Sequence, residues 1–250
     1  MKITFIIPTY NRASFLPMAV RSVFDQHGSY DLDVLIVDDG STDNTPDVIT
    51  AICQSYPQVR TVRQENAGIS AARNTGLRNL LDETEIVTFL DSDDILPLDR
   101  LASDLPLFEE NPQLDITYGR MLITDDLDYD AGTPKPNARK MELCSIQLAC
   151  ILMRRHVLDH VGFFDETLRL AEDTDYLFRI FELGFCFQQV DTICVYYLRH
   201  SANITNDGQS MQSSCAHAIL KSMKRRRANP SLKLVKPEFD LSPVLEQGWM

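Results

Sequence analysis

Phe89-Leu90-Asp91-Ser92-Asp93-Asp94 packs three carboxylates into four residues, directly behind the mostly apolar run Glu85-Ile86-Val87-Thr88-Phe89-Leu90. A β-branched and aromatic run of this length reads as a buried strand, so the acids stand at its carboxyl end, where open α/β sheets hold their ligands. Adjacent negative charges repel one another, and a divalent cation between them relieves the repulsion. Mg²⁺ and Mn²⁺ prefer oxygen ligands and keep sites free for substrate phosphates. The same acids are compatible with a solvated turn capping a helix that starts near Pro97. The neighbouring elements decide between the two.

Upstream, the same plan is repeated three times. Ile3 to Ile7 is a short apolar run stopped by Pro8, followed by the polar loop Thr9-Tyr10-Asn11-Arg12. A helical pattern then runs from about Ala13 to Asp25, with Leu16, Ala19, Val20 and Val23 at helix spacing. Asp33-Val34-Leu35-Ile36-Val37 is a second strand, ending in Asp38-Asp39-Gly40-Ser41-Thr42-Asp43 and leading to a helix from about Asn44 to Ser55. The third unit is Val59 to Arg63 as strand, Asn66-Ala67-Gly68 as turn and Ile69 to Leu81 as helix. Four strands alternating with helices at these lengths predict a mostly parallel sheet with right-handed crossovers. All carboxyl ends then share one edge. The loops Thr9 to Arg12, Asp38 to Asp43, Asn66 to Gly68 and Asp91 to Asp94 therefore converge, as a ligand site requires. A Rossmann dinucleotide site would need Gly-x-Gly-x-x-Gly after the first strand, where this chain has Pro8-Thr9-Tyr10-Asn11-Arg12.

Composition excludes several classes. At 250 residues, 44% hydrophobic and 24% charged, the chain is an ordinary soluble globular one, long enough for a large core in one domain or two. Its formal net charge of −12 argues against nucleic acid as a partner. Any phosphate must be held by local basic groups, backbone N–H groups or a metal. No apolar run approaches membrane-spanning length, and the start Met-Lys-Ile-Thr-Phe-Ile-Ile-Pro is too soon broken for a signal peptide, so a cytoplasmic location is expected. Cys53, Cys144, Cys150, Cys186, Cys194 and Cys215 form no Cys-x-x-Cys pair, which fits reduced thiols better than zinc or disulfides.

Beyond Leu101 the pattern changes. A helix over 97–110 closes at Asn111-Pro112, and a short strand follows over 115–119. Residues 125–139 are polar with two prolines, which reads as a mobile loop or lid, or as an ordinary surface insertion. Gln147 to Met153 is strand-like, Arg154 to His160 a short helix, and Val161-Gly162-Phe163-Phe164-Asp165-Glu166 a turn with buried aromatics. Ala171-Glu172-Asp173-Thr174-Asp175 opens a helix that stops at Gly184, a suitable residue just past a helix end. Strand-like Phe185 to Leu198 ends at Arg199-His200.

With these pieces in place the chain resembles the family 2 glycosyltransferases. The resemblance rests on Ile6-Ile7-Pro8-Thr9-Tyr10-Asn11-Arg12; Val37-Asp38-Asp39-Gly40-Ser41-Thr42-Asp43; Asn66-Ala67-Gly68 through Ala72-Arg73-Asn74-Thr75-Gly76; Phe89 to Asp94; Val161 to Glu166; Glu172-Asp173 with Arg179; and Tyr197-Leu198-Arg199-His200. It implies the three-layer nucleotide-diphospho-sugar transferase (glycosyltransferase A-type) fold, α/β with a mostly parallel central sheet. It also implies a metal-dependent, inverting enzyme that moves a sugar from a nucleotide diphosphate, a UDP-sugar first, to a glycan or lipid-linked acceptor in surface polysaccharide or glycoconjugate biosynthesis. The alternatives are a non-catalytic nucleotide-binding protein of the same fold, or a nucleotidyltransferase, whose glycine-rich phosphate loop is missing after the first strand.

Residue roles follow from the same resemblance. Pro8, Thr9, Tyr10 and Arg12 border the nucleotide, with Tyr10 able to stack on the base and Asp39 to accept hydrogen bonds from base or ribose. Asn66, Gly68 and Arg73 belong to that site, Arg73 meeting a phosphate or the base. Asp38 and Asp43 serve equally well as a turn former and a helix cap. Asp91 and Ser92 face ribose or sugar, Asp94 supports them or touches sugar, and Asp93 with His200 holds Mn²⁺ or Mg²⁺. The acceptor hydroxyl needs a base, for which Asp173 is the candidate and Glu172 the fallback, although acids in a first helical turn are also favourable in themselves. The expected organisation is a catalytic domain over 1–203, with a nucleotide-binding half (1–100) and an acceptor-side half (101–203), and a helical tail over 204–250. The tail reads as a helix over 209–228 with Met211, Ala218, Ile219 and Met223 near one face. Lys221, Lys224, Arg225, Arg226 and Arg227 crowd its end, compatible with a helix C-terminus or with peripheral contact to anionic lipid.

Overall fold

The computed structural model describes residues 1–144, 147–200, 203, 208–235 and 237. The first half runs β1 (Lys2–Thr9), α1 (Leu16–Phe24), β2 (Asp31–Asp38), α2 (Thr45–Ser55), β3 (Val59–Arg63), α3 (Ile69–Arg78) and β4 (Thr84–Phe89). The second half adds α4 (Arg100–Glu110), β5 (Ile116–Thr124), β6 (Leu127–Asp128), β7 (Thr133–Pro134), β8 (Lys140–Leu143), β9 (Ile151–Arg154), α5 (Arg155–Val161), α6 (Glu172–Glu182), β10 (Phe187–Leu198) and α7 (Gly208–Ala228). The main sheet has the order β10-β5-β9-β4-β1-β2-β3. The pairs β1–β2, β1–β4, β2–β3 and β5–β10 are parallel, and only β8 and β9 run against the rest.

Both faces of the sheet are covered, which is why its central strands are apolar throughout and do not alternate. Ile3, Phe5 and Ile7 pack with Leu16, Val20, Ile49 and Phe108 on one side, while Ile6, Val87 and Phe89 meet Val157, Tyr176 and Ile180 on the other. The predicted parallel sheet thus becomes a three-layer sandwich. Gly76 lets α3 lie close on β1, since a Cβ there would come within 2.4 Å of Ile6 Cγ2.

Several boundaries differ from expectation for identifiable reasons. β1 does not stop at Pro8 but continues to Thr9. Ile6 turns its carbonyl to Leu90 N (3.1 Å) and Thr9 turns its carbonyl to Asp39 N (2.9 Å). Pro8 therefore faces the side where β4 has already ended, and no ladder bond is lost. α4 begins at Arg100 rather than 97, because the carbonyls of Pro97 and Leu98 are taken by Gln26 Nε2 and His27 N at the end of α1. The polar stretch 125–139, expected as a mobile loop or lid or as a surface insertion, carries a small hairpin of β6 and β7 whose Leu127 is buried against Ile95 and Leu198. Strand 147–153 is shorter than expected, since Leu148–Cys150 forms a 3-10 turn and β9 starts at Ile151.

The same turn fills an opening in the sheet. β9 lies along the first part of β5 and reaches β4, whereas β8 continues along the second part of β5 without reaching β4. The carboxyl ends of β4 and β5 are left apart, and the Leu148–Cys150 turn sits in the gap.

The tail helix α7 packs on α6 and turns much of its basic cluster inward. Lys221 meets Asp165, and Arg225 bonds Asp175 (2.6 Å) and Glu182 (2.8 Å). The basic cluster, read from sequence as favouring the helix C-terminus or as meeting anionic lipid, is thus partly spent on intramolecular acids. The Met211 side chain and residues 238–250 lie outside the described residues. Among the described residues no helix is long and apolar enough to cross a membrane.

Candidate active site

The carboxyl edges of β1, β2 and β4 meet the start of α6 around a cavity of about 580 Å³. Two backbone loops are fastened together first. Asn11 Oδ1 accepts Thr42 N (2.8 Å), Asn11 N donates to Ser41 Oγ (2.9 Å) and Arg12 N donates to Thr45 Oγ1 (3.0 Å). Asp38 accepts Ser41 N and the Arg63 guanidinium (2.5 Å), and Asp43 accepts Thr45 N (2.9 Å), so both are turn builders. Gly40, at φ +76°, passes so close to Asn66 that a Cβ would stand 2.8 Å from its backbone nitrogen. This closeness lets Asp39 reach across: its carboxylate accepts Gln64 Nε2 (2.7 Å), Ala67 N (2.9 Å) and Gly68 N (2.9 Å).

Tyr10 stands 43% exposed at the rim of the cavity. Two buried polar atoms of the lining, Thr9 Oγ1 and Arg73 Nε, have no hydrogen-bond partner. Buried polar groups are ordinarily satisfied, so orphans at a cavity wall point to a ligand.

The acids after β4 separate by orientation. Asp93 Oδ2 receives both Arg12 Nε (3.1 Å) and His200 Nε2 (3.0 Å), and the His200 ring stacks on Phe15 with centroids 4.9 Å apart. Asp91 faces Arg73 Nη2 (3.1 Å). Asp94 turns away from the cavity, is 1% exposed and accepts Leu198 N (3.1 Å), tying β4 to the end of β10. Burial, reinforced by Asp93 and Asp91, pushes its carboxyl well above the usual range. Direct sugar contact from Asp94 is therefore not what its position offers; it supports the loop from behind.

Arg73 joins the two halves of the chain. Only 4% exposed, it donates to Glu172 (2.5 Å) as well as to Asp91. Burial pushes the Glu172 carboxyl upward even with this guanidinium on it. Asp173 is held differently: it accepts Thr174 N (2.6 Å) and has no ion pair among the described residues. Ala171, immediately before them, adopts φ 57°; it and Asn11 are the two non-glycine residues with positive φ among the described residues. Asparagine tolerates that region, alanine does so only when its surroundings impose it, and here the imposed residue aims the two acids.

Thirteen of the residues expected from sequence line the one cavity: Pro8, Thr9, Tyr10, Arg12, Asp39, Asn66, Gly68, Arg73, Asp91, Ser92, Asp93, Glu172 and Asp173. His200 stands one bond behind Asp93, and Asp94 lies in the wall. The cavity also takes in Gln147, Leu148, Ala149, Arg169, Tyr197 and Asn203, which sequence reasoning missed. Gln147 to Ala149 come from the turn in the β4–β5 gap. Arg169 precedes the Glu172-Asp173 motif by three residues, which is the one signal that would have found it.

The chain matches the family model described as Glycosyl transferase family 2 over residues 4–162. It is 28% identical over 182 residues to the minor teichoic acid biosynthesis protein GgaA of Bacillus subtilis, covering 68% of this chain and 41% of that protein. It is also 28% identical over 205 residues to the chondroitin synthase of Escherichia coli, covering 80% and 29%. The chain thus spans less than half the length of these relatives. Among solved structures it resembles S. aureus TarS 1–349 in complex with UDP-GlcNAc, with a TM-score of 0.69, 20% identity and coverage of 92% of this chain and 73% of that one. The mannosyltransferase PcManGT of Pyrobaculum calidifontis, in complex with GDP-Man and Mn²⁺, matches with a TM-score of 0.68, 20% identity and coverage of 89% and 64%. The architecture is that of the A-type glycosyltransferase fold, and with the family model covering more than half of its residues, the chain belongs to glycosyl transferase family 2.

Proposed function

We propose that the protein transfers a sugar from a nucleoside-diphosphate sugar to an acceptor hydroxyl, with inversion at the anomeric carbon, in the assembly of a polysaccharide or teichoic-acid-like polymer. The carrying observation is the meeting of Asp39, Asp91 and Asp93 with Asp173 in one cavity that also holds two orphaned polar atoms. A UDP-sugar is the first donor to try, since TarS carries UDP-GlcNAc, and the GDP-mannose bound to PcManGT is the second. Tyr10 stacks on the base, and the lone pair left on Asp39 Oδ2 accepts its N–H. Asp91 and Ser92 face ribose and sugar.

Asp173 is assigned as the base because Glu172 is already committed to Arg73. The acceptor O–H gives its proton to the Asp173 carboxylate as the oxygen bonds to the anomeric carbon, and the bond to the diphosphate oxygen breaks with its electrons leaving on the nucleotide. General-base assistance of this kind is worth typically about 10²- to 10⁴-fold. Arg73 positions Glu172 and Asp91, and its unpartnered Nε is left for the donor.

The donor set fits a divalent cation as a shared site. Asp93 and His200 stand within hydrogen-bond distance of each other (3.0 Å), Arg12 occupies the same carboxylate oxygen, and no cluster of three ligating groups exists among the described residues, so a cation would enter by displacing these contacts. Two protein ligands completed by diphosphate oxygens and water suit Mg²⁺ or Mn²⁺. When bound, such an ion supplies stabilisation of the negative charge on the departing diphosphate. Without it, Arg12 is left to hold Asp93.

The test is calorimetric titration with UDP, UDP-GlcNAc and GDP-mannose, with Mn²⁺ and with EDTA, followed by product analysis with candidate acceptors. Binding of one nucleotide class, weakened at least tenfold by EDTA and by Asp93→Ala, is expected. Absence of any nucleotide binding would overturn the donor site, and binding indifferent to both treatments would remove the metal alone.

A further inference from the structure

Helix α7 is polarised the wrong way round for a helix facing water. Its inward side carries the buried small residues Ala218 and Ser222 and the cations Lys221 and Arg225, which meet acids of the catalytic body. Its outward side carries Ile219, Leu220 and Met223, 47, 56 and 41% exposed. At 3.6 residues per turn, Ile219, Met223, Arg227, Leu220 and Lys224 follow one another across about 140° of helix surface. Lys224 and Arg227 are exposed and have no acidic partner among the described residues. The three apolar side chains are about half exposed, and two cations with no acidic partner among the described residues stand among them.

We propose that this face of α7 lies on a bilayer containing anionic lipid. Apolar side chains set beside Lys and Arg suit the boundary between acyl chains and negative headgroups. The rest of the molecule is strongly acidic, with a formal charge of −12 overall, so such a surface would repel it elsewhere and accept it through this face. Three side chains are too small a patch for a stable contact between two proteins, which takes about 800 Å² on each partner, whereas a bilayer demands no matching shape. The placement is also apt. Cys215 of α7 lies against Thr174, next to Asp173, so the acceptor side of the cavity stands about one helix diameter, roughly 10 Å, from the proposed surface. The feature is distinct from a basic tail, because the apolar stripe rather than the charge count defines it. It is also independent of the sugar-transfer reading, since vesicle binding needs no substrate.

The test uses the full chain and co-sedimentation with phosphatidylcholine vesicles, with and without phosphatidylglycerol. Wild type is expected to bind the anionic vesicles about thirtyfold more tightly than the neutral ones, from two charges at the surface. The double variant Lys224→Glu/Arg227→Glu should lose that preference, and the triple variant Ile219→Ser/Leu220→Ser/Met223→Ser should lose binding at least tenfold. Circular dichroism and nucleoside diphosphate binding should match wild type in both, because these side chains face outward. Failure of wild type to bind either vesicle would overturn the proposal, as would variants that bind like wild type. Light scattering that shows a dimer abolished by the serine variants, with no vesicle binding, would assign the face to a second copy instead.

Discussion

Replacing Arg73 by methionine keeps the aliphatic stem and removes the guanidinium shared by Glu172 and Asp91. Asp91, with a side chain 41% exposed, can turn to water, but Glu172, at 10%, cannot. An isolated buried carboxylate escapes by taking up a proton. The penalty is then that of protonating a group whose ordinary value is 4.5, which at about 1.36 kcal/mol per unit is at most about 3.4 kcal/mol at pH 7. The sign is fixed by linkage: a folded-state value raised above the unfolded one costs nothing below 4.5 and costs more as pH rises. At pH 5 the same loss should shrink to about 0.8 kcal/mol. Urea denaturation of wild type and Arg73→Met at both pH values measures the difference directly. An equal loss at pH 5 and pH 7 would refute the reasoning, since it would trace the effect to packing and not to an abandoned charge.

Asp173→Asn should lower transfer about 10²- to 10⁴-fold while donor affinity stays within about threefold, and near-normal transfer by the folded variant would move the base elsewhere. Gly76→Ala should destabilise the fold by about 1–3 kcal/mol, because its Cβ would meet Ile6 Cγ2, and thermal melts should show the loss as a lowered midpoint. Lys221→Met should cost about 1 kcal/mol near neutrality. The Lys221 and Thr167 hydrogen bonds hold the Asp165 carboxyl below its ordinary 3.8, so that contribution is present above this value and is lost as pH falls through the folded one. The gap between wild type and variant should accordingly close in acid.

Much of the site was legible because a parallel sheet turns order along the chain into position along an edge. Asp39 and Asp93 are far apart in sequence, yet each follows a strand whose apolar run can be counted. What was not legible depends on directions that only packing fixes. Asp91, Asp93 and Asp94 look alike as letters, but the turn sends one toward Arg73, one toward His200 and one toward the backbone of Leu198. Gln147, Leu148 and Ala149 carry no chemical signal, and enter the cavity only because β8 fails to reach β4. The inward ion pairs of the α7 basic run were not legible because the partners, Asp165, Asp175 and Glu182, lie more than forty residues away.

The first turns of α3 bind the second half of the chain residue by residue. Ser70 Oγ donates to Leu168 O (3.2 Å), Arg73 to Glu172 (2.5 Å), and Asn74 reads the Phe164 backbone in both directions, giving Nδ2 to its carbonyl (3.0 Å) and taking its N–H on Oδ1 (2.7 Å). For anyone recombining such enzymes, this makes a cut after β4 a false seam. A foreign second half grafted at residue 100 would arrive without the side chains that dock it, however well the sheet itself rejoined. A chimera that carries α3 along with the incoming half, or restores Ser70, Arg73 and Asn74 to match it, keeps the two walls of the cavity in register, so the interchangeable unit of this fold is not a contiguous stretch of sequence.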